Sequence, residues 1–246
     1  MALKRKAGIP LYLQVKENLL QKIDAGTWAE ESLIPTESEL CEEYGVSKIT
    51  VREAIRILVK DGRLSRKPGK GTFVTRPKIE QKLNRFFSFT KWALQNELQP
   101  ASRILRVEAV ACSRHIAKHL GIPEDEQVCR IERLRLGNGE PLTLEVIWVP
   151  CRICPDLHLH DLANVPLNDI LQNEYGIQLV RATESIEAAT ADEYLARQLA
   201  IEKDVVMLHV EHTAFSRGGQ IVYFVTTSYR GDRVKFSIEL SVNRNG

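Results

Sequence analysis

The chain has few cysteines and no long apolar run, and both shortages exclude whole classes of protein. Five cysteines among 246 residues are sparse and odd in number, which does not fit a small disulfide-stapled scaffold. No stretch approaches the roughly eighteen consecutive apolar residues that a membrane helix needs. The basic start, Met-Ala-Leu-Lys-Arg-Lys, is not followed by an apolar segment, so we predict no secretory signal and expect a cytoplasmic protein with reduced thiols.

Net charge is also low, at +2, but it is unevenly distributed. Residues 1–78 hold 15 Lys and Arg against 10 Asp and Glu, whereas residues 79–246 hold 19 against 22. Within the first part, residues 47–78 carry 10 basic and 2 acidic residues. The overall composition, 43% hydrophobic and 27% charged, is that of a folded protein. A local excess of positive charge in such a chain indicates a polyanionic partner.

Regular patterns predict three helices near the start of the chain. Apolar residues recur every four positions over 11–23, which indicates a first helix with one buried side. Thr36 and Glu39 have the spacing of a capping box at the start of a second helix, which Gly45 ends. Ser47 caps a third helix with apolar residues along one face. Two helices joined by a short turn that contains glycine predict a helix-turn-helix.

A basic hairpin is predicted directly after the third helix. Two short strand-like segments, 64–67 and 72–74, flank the turn sequence Pro68-Gly69-Lys70-Gly71. Three helices and a hairpin make a winged helix, which we assign to residues 1–74. Because Pro77 disfavours helix in the residue before it, we place a linker at residues 75–82.

The third predicted helix carries a stripe of basic residues spaced by four. An α-helix fits the major groove of DNA, and its first residues usually reach the base edges. Arg52 is the best candidate for a bidentate contact to guanine, whereas Arg56 lies deeper along the helix and is expected to meet phosphate. The predicted DNA-binding residues are Ser47, Lys48, Thr50, Arg52 and Arg56 in the helix, and Gly69, Lys70 and Gly71 in the wing.

Several segments of this first part resemble the winged-helix domain of GntR-type bacterial transcription regulators. They are Pro10-Leu11-Tyr12, Ile34-Pro35-Thr36-Glu37-Ser38-Glu39-Leu40, the stretch 44–54 and Gly69-Lys70-Gly71-Thr72-Phe73-Val74. The resemblance implies a homodimeric regulator, in most cases a repressor, whose two winged helices read a pseudo-palindromic operator.

Residues 83–246 alternate strand-like and short helical segments. Asn138-Gly139 and Gly218-Gly219 lie between neighbouring strand-like segments and predict hairpins. Hairpin-linked strands with helices predict an antiparallel-sheet α+β domain. The predicted strands are 103–112, 127–136, 141–149, 178–188, 205–216, 220–230 and 234–241, and the predicted helices are 113–120, 167–175 and 191–200.

Arg133 and Arg135 alternate with leucines on one predicted strand, so both guanidinium groups lie on the same face. Two neighbouring arginines need anions, and a phosphate or a carboxylate matches their forked donors. A surface ladder of salt bridges is the alternative explanation of the same pattern.

Glu145, on the next predicted strand, is the candidate counterion, and the loop length decides its partner. A two-residue loop at Asn138-Gly139 places Glu145 opposite Glu132, whereas a three-residue loop that includes Glu140 pairs it with Arg133. Like charges are unfavourable opposite each other, so we predict the three-residue loop.

The whole of 83–246 resembles the UTRA effector-binding domain of the HutC-like subgroup, which has a chorismate-lyase-like fold. The segments that carry this resemblance are Phe87-Ser88-Phe89-Thr90, Glu132-Arg133-Leu134-Arg135-Leu136, Gly139-Glu140-Pro141, Glu145 and Tyr229-Arg230-Gly231-Asp232. It implies a small anionic metabolite bound by Ser88, Phe89, Thr90, Arg133, Arg135, Glu145 and Tyr229. Members that bind phosphosugars carry serine and tyrosine before the third helix of this domain, where this chain has Pro166-Leu167-Asn168. Only the anion-binding side of the site is therefore expected to match that of the phosphosugar-binding members.

Two other patterns contain metal-ligand residue types. Cys151 and Cys154, followed by His158 and His160, form a cluster that suggests an alternative function, a metal- or thiol-redox-responsive DNA-binding regulator. The spacing is not that of a zinc finger, and free buried thiols are the simpler explanation. His115 and His119 are four residues apart on a predicted helix, but the sequence shows no third ligand.

An enzyme is not predicted. No Ser-His-Asp order, metal-hydrolase motif or phosphate-binding loop is visible, and Gly69-Lys70-Gly71 is too short for a dinucleotide fingerprint. The resemblance of fold to chorismate lyase carries no activity by itself. We therefore expect no cofactor and no catalytic residue.

Overall fold

The computed structural model describes residues 8–83 and 88–240. The chain forms two compact units that meet in sequence between Pro77 and Lys78, and each is described by itself. None of the described helices is long and apolar enough to cross a membrane.

The first unit is a winged helix, as the sequence predicts. Its elements are α1 (Leu11–Asp24), α2 (Glu37–Tyr44), α3 (Lys48–Lys60), β1 (Leu64–Lys67) and β2 (Gly71–Val74). The capping box forms at the start of α2, where the Thr36 side chain accepts from the Glu39 amide and the Glu39 side chain accepts from the Thr36 amide. Gly45 ends α2 in the left-handed conformation, and the Ser47 side chain caps α3. The apolar sides of the three helices form one core with the hairpin.

Gly71 fixes the geometry of the hairpin. It begins β2 opposite Lys67, the last residue of β1. Its φ of +116° is unfavourable for other residues, and a Cβ there would lie 2.5 Å from Leu33 Cδ2. This close approach lets the segment before α2 lie along β2, where Leu33 forms a bridge with Phe73. The wing is therefore a hairpin widened by a third short segment.

The second unit is an α+β domain built on one antiparallel sheet. Its strands are β4 (Pro100–Ala111), β5 (Gln127–Gly137), β6 (Glu140–Pro150), β7 (Leu179–Thr190), β8 (Val206–Ser216) and β9 (Ile221–Arg230), and its helices are α4 (Phe89–Gln95), α5 (Arg114–Leu120), α6 (Leu167–Asn173) and α7 (Glu193–Leu199). The six strands of the sheet lie in the order β4-β5-β6-β9-β8-β7. The domain also contains a short 3₁₀ turn at Leu157–Leu159.

Helices cover both faces of this sheet. On one face, α4, α6 and the 3₁₀ turn pack on the sheet through two apolar clusters. On the other face, α5 and α7 form two further clusters with the sheet. Successive residues of a strand point to opposite faces, so each of the central strands β6, β9 and β8 contributes to both. The first face carries the candidate effector site.

Part of the predicted linker is ordered as a strand. Residues 79–82 form β3 (Ile79–Lys82), which pairs in parallel with β10 (Val234–Ser237). The two strands are about 150 residues apart in the sequence, and although a strand is predicted at 234–241, no nearby turn indicates that it pairs with residues 79–82. The linker that we assigned to 75–82 therefore shortens to the residues before Ile79.

The predicted three-residue loop between β5 and β6 is wrong, although the pairing it was meant to explain is correct. Gly137 pairs with Glu140, so the loop is the two-residue Asn138-Gly139. The register shifts just inside the hairpin, where Leu142 has no partner on β5, and Arg133 then pairs with Glu145. A β-bulge supplies the extra residue that we assigned to the loop.

Candidate functional site

The exposed side of α3 presents most of the predicted DNA-binding residues. Ser47 caps the helix by accepting from the Thr50 amide at 3.3 Å, and the two hydroxyl oxygens lie 2.9 Å apart. Lys48 is exposed one residue later. Ile49 was not predicted as a contact, yet its side chain is 79% exposed at the start of the helix. An isoleucine within an otherwise polar and basic helix face was the feature of the sequence that could have predicted this contact.

Arg52 is tied to the start of α2. Its Nε donates to Glu37 Oε2 at 2.7 Å, while Arg66 of the wing donates to the other oxygen of the same carboxylate. Burial alone would raise the pKa of Glu37, but the two arginines outweigh it and hold the pKa below its ordinary value. Glu37 thus links α3 and the wing, and it orients Arg52, whose side chain is still 59% exposed.

The remaining predicted DNA-binding residues are all solvent-accessible. Arg56 makes a bidentate ion pair with Glu53 on the surface of α3, in which Nε donates to Oε2 at 2.9 Å and Nη2 donates to Oε1 at 2.7 Å. Lys70 is exposed at the tip of the wing, between Gly69 and Gly71. The exposed face of this unit therefore combines a basic helix and a basic wing tip.

A cavity of about 80 Å³ lies in the second unit, on the face of the sheet covered by α4 and α6. Its polar end is built by Arg133 and Glu145, and each of these residues is 6% exposed. Arg133 Nε donates to Glu145 Oε2 at 2.7 Å, and its Nη1 donates to the Leu162 carbonyl at 3.1 Å. Burial would raise the pKa of Glu145, but Arg133 and Arg135 hold it below its ordinary value. The carboxylate is therefore charged at neutral pH.

Arg135 lies beside this pair with mostly neutral partners. It donates to Ser102 Oγ at 2.5 Å and to Thr90 Oγ1 at 3.4 Å, and its guanidinium carbon lies 4.6 Å from the centre of the Phe89 ring. Its Nε is buried and has no hydrogen-bond partner among the described residues. Glu145 is 3.9 Å away. Burial lowers the pKa of Arg135, and the neighbouring Arg133 lowers it further.

A second group of polar side chains lines the same cavity. His212 Nδ1 lies 2.8 Å from Glu184 Oε1, and its Nε2 lies 3.4 Å from the hydroxyl of Tyr223. That hydroxyl donates to Asn168 Oδ1 at 3.4 Å. Burial raises the pKa of Tyr223, so it stays a neutral hydrogen-bonding group.

Two family models match the chain. The UTRA domain matches residues 95–235, more than half of the chain, and the gntR family of bacterial regulatory proteins matches residues 11–74. The chain belongs to the GntR family. This confirms the membership predicted from the sequence, and it makes the protein a DNA-binding transcription regulator.

Relatives of this GntR regulator cover almost the whole chain. The HTH-type transcriptional repressor NagR of Bacillus subtilis is 30% identical over 236 residues, 96% of this chain and 97% of the relative. The histidine utilization repressor of Pseudomonas putida is 30% identical over 229 residues, 91% of this chain and 89% of the relative. These relatives are named as regulators and not as enzymes, as predicted. The crystal structure of PhnF from Mycobacterium smegmatis has a TM-score of 0.67 and 26% identity, and covers 93% of this chain and 100% of that one.

The predicted effector residues of this GntR chain come together, and the sequence missed several of their neighbours. Ser88, Phe89, Arg133, Arg135, Glu145 and Tyr229 all line the cavity, and Thr90 contacts Arg135 from just outside it. Phe87, at the start of the same segment, lies outside the described residues. The lining residues that were not predicted from the sequence include Glu184, Val210, His212, Tyr223 and Thr227. They lie at alternating positions along β7, β8 and β9. This alternation indicates that the residues of one strand share a face of the sheet, but it does not indicate which of the two faces lines the cavity.

The cysteine and histidine cluster does not assemble in this GntR chain. Cys154 is 1% exposed within an apolar cluster, and burial raises the pKa of its thiol to about 12. His160 instead lies 3.1 Å from the Tyr175 hydroxyl. The four predicted ligands, all of them described, are not among the residues that converge as a possible metal site. The geometry therefore does not favour the metal- or redox-responsive alternative.

Proposed function

We propose that this protein is a homodimeric, cytoplasmic repressor that binds operator DNA through α3 and the wing, and that a small anionic metabolite in the cavity changes its affinity for the operator. The assignment keeps residues 1–74 for DNA binding and residues 83–246, together with strand β3, for effector binding and dimerisation. Ligand control of this kind requires that the DNA-competent and incompetent states differ in affinity for the metabolite.

The excess positive charge at one end of the cavity carries the effector proposal. Arg133 and Arg135 are both buried, and one carboxylate, Glu145, lies within ion-pair distance of them. Buried charges are normally paired, and an unpartnered buried donor costs about 1–3 kcal/mol. An anionic ligand that accepts a hydrogen bond from Arg135 Nε would neutralise the unpaired buried charge and would also satisfy the unpartnered donor. A phosphate or carboxylate suits a guanidinium because it accepts two parallel hydrogen bonds.

The second group of polar side chains in the cavity favours a ligand that also carries neutral polar groups. Asn168, Tyr223 and His212 offer an amide, a hydroxyl and an imidazole to the cavity. Asn168 stands in the segment where phosphosugar-binding relatives of the UTRA type carry serine and tyrosine. We therefore propose an anion that bears hydroxyl, amide or amine groups, and we leave the phosphosugar as one candidate among others.

The DNA-binding proposal rests on the geometry of α3. Arg52 and Lys48 project from its first turns, where major-groove contacts usually lie. The exposed Ile49 is available for the methyl group of thymine. The Ser47 hydroxyl and Thr50 hydroxyl lie at the helix N-terminus, where phosphate is favoured. Arg56 and Lys70 supply further charge for the DNA backbone.

The edge strand β7 supports the homodimer. It lies at the end of the sheet, and ten of its twelve residues are exposed. Val180 and Ile186 are 49% and 38% exposed on this strand. A long, exposed edge strand with apolar residues invites pairing with another chain unless it is covered. A second copy would cover it and would also bring two winged helices to two half-sites.

A ligand screen tests the effector half of the proposal. The full-length protein is screened by thermal shift against phosphosugars, urocanate, amino acids, dicarboxylates and phosphonates. A ligand at about 100 times its dissociation constant should stabilise the fold by about 2.7 kcal/mol, a shift of several degrees. Hits are then tested for release of a fluorescent operator selected from random duplex DNA.

Two variants make that screen specific. Arg135→Met should lose the response to an anionic hit, because it removes the charge but keeps the side-chain length. Arg106→Met makes the same change on the exposed surface of β4 and should keep the response. A hit that stabilises Arg135→Met as strongly as wild type contradicts the assignment of the cavity.

Substitution of Arg52 tests the DNA half. Arg52→Ala should abolish discrimination between operator and random duplex while it retains weak, salt-sensitive binding. An unchanged operator footprint would contradict the assignment of α3 as the recognition helix.

A further inference from the structure

A second cluster of polar side chains lies on the face of the sheet that is opposite the cavity. His115 and His119 lie one turn apart on α5, and Glu211 lies on β8 beneath them. One nitrogen of each imidazole and one oxygen of the carboxylate all lie within 4.8 Å of one another. The i, i+4 spacing places the two imidazoles on the same side of the helix. The sheet thus supplies the third ligand that the sequence alone did not show.

Ring contacts position the two imidazoles of this cluster. The His119 ring stacks on Phe224 of β9, with ring centres 4.2 Å apart and planes 18° apart. The His115 ring meets that of His119 edge-on at 4.7 Å. Helix α5 is itself fixed, because Ser113 caps its start and Gly121 ends it in the left-handed conformation. The cluster therefore requires little ordering of the backbone to bind a ligand.

Among the residues that the structure describes, the Glu211 carboxylate makes no ion pair and no side-chain hydrogen bond. It lies next to the two imidazoles, with ligand atoms within 4.8 Å of one another. An acceptor and two imidazoles that converge without bonding to one another leave space at their centre for a cation.

We propose that His115, His119 and Glu211 bind a divalent transition-metal cation of the Zn²⁺ type. Two imidazoles and one carboxylate are ligands that zinc accepts, and three protein ligands leave a fourth position for water. Bonds of about 2.0–2.2 Å place neighbouring ligand atoms about 3.3 Å apart in a tetrahedral site. The exposed His115 and the flexible Glu211 side chain rotate to close the remaining gap, while His119 stays on Phe224.

This site differs from the effector cavity in both ligand chemistry and location. Glu211 points away from the cavity, whereas its neighbours Val210 and His212 line it. A metal that restrains Glu211 therefore restrains the strand segment that carries His212. Because the two sites use different side chains, each can be removed without removing the other.

Metal titration of the full-length protein tests the site. After treatment with a chelator and its removal, the protein is titrated with Zn²⁺ by calorimetry, and with Co²⁺ by visible absorption. We expect one equivalent of Zn²⁺ and the absorption bands of low-coordinate Co²⁺. His115→Ala and Glu211→Gln should each weaken binding by at least about tenfold, since even the loss of an outer-shell contact costs that much.

Matched variants distinguish this site from the other histidines and cysteines. His158→Ala removes an exposed histidine outside the cluster and should leave zinc affinity unchanged. His115 is exposed, so His115→Ala is not expected to disturb the core, and circular dichroism checks its fold. Zinc affinity that is equal in wild type, His115→Ala and Glu211→Gln would overturn the proposal. Loss of binding in His158→Ala, or no heat of zinc binding in wild type, would overturn it as well.

Discussion

Arg133 and Glu145 are paired residues on neighbouring antiparallel strands, and their side chains form a 2.7 Å ion pair at the polar end of the cavity. The strand pairing fixes both side chains on one face of the sheet. The carboxylate thus balances one of the two buried arginines before any ligand binds. Stability and ligand recognition are therefore coupled at this end of the cavity.

The Glu145→Gln variant should lose much of the stability of the second unit. The substitution keeps the shape of the side chain but leaves two buried guanidinium groups without a counterion. Breaking a buried pair from one side costs about 3–5 kcal/mol, which urea unfolding measures directly. Glu193→Gln, which breaks the exposed pair with Lys203, is the control and should change the unfolding free energy little. Equal losses in the two variants would mean that burial does not strengthen the Arg133–Glu145 pair.

The same pair predicts how stability depends on pH. The pKa of Glu145 is lowered in the folded state, so the pair stabilises the fold above the ordinary carboxyl pKa of 4.5, and this contribution is lost as the pH falls through the folded value. The difference in unfolding free energy between wild type and Glu145→Gln should therefore narrow below about pH 4.5. Urea unfolding of both proteins from neutral to acid pH measures it. A difference that stays constant into acid would contradict the lowered pKa.

The face shared by Arg133 and Arg135 was predictable from the sequence, whereas most of the cavity was not. Alternation along one strand needs only the neighbouring residues, and the penalty for like charges led to the correct partner for Arg133. The same reasoning wrongly assigned the extra residue to the loop. A bulge at Leu142 and a loop that is one residue longer give the same pairing between Arg133 and Glu145, so the charges alone do not distinguish them.

The second group of polar side chains in the cavity could be found only with knowledge of the long-range strand register. Glu184 and His212 meet because β7 pairs with β8, and Tyr223 joins them from β9. Each of these strands shows alternation in the sequence, but the pattern does not indicate which of its two faces is inside. The pairing of β3 with β10 was missed for a related reason, since nothing local marks a parallel partner so far along the chain.

Thiol labelling should separate the five cysteines into two groups. Cys112, Cys129 and Cys154 are buried, and burial raises the pKa of Cys129 to about 11 and that of Cys154 to about 12. The thiolate is the reactive form, so these thiols should stay unlabelled near neutral pH. Cys41 and Cys151 are partly exposed and should react first.

Peptide mass spectrometry after a short treatment with iodoacetamide provides the measurement. Labelling in denaturant is the control and should modify all five cysteines. If Cys154 reacts in the native protein as fast as Cys41, its region opens readily, and the thiol-redox alternative regains support.

Lys70 should contribute to DNA binding without reading the sequence. It is exposed at the tip of the wing, where the positive φ values of Gly69 and Gly71 form the turn on both sides of it. A lysine at such a tip meets a phosphate or the minor groove as a point charge. Lys70→Ala should therefore weaken binding to operator and to random duplex by a similar factor, and it should reduce the slope of log affinity against log salt by about 0.9. Fluorescence anisotropy at several salt concentrations measures both quantities, with the exposed Lys203→Ala as the control. A loss confined to the operator, with an unchanged slope, would instead make Lys70 a base-reading residue.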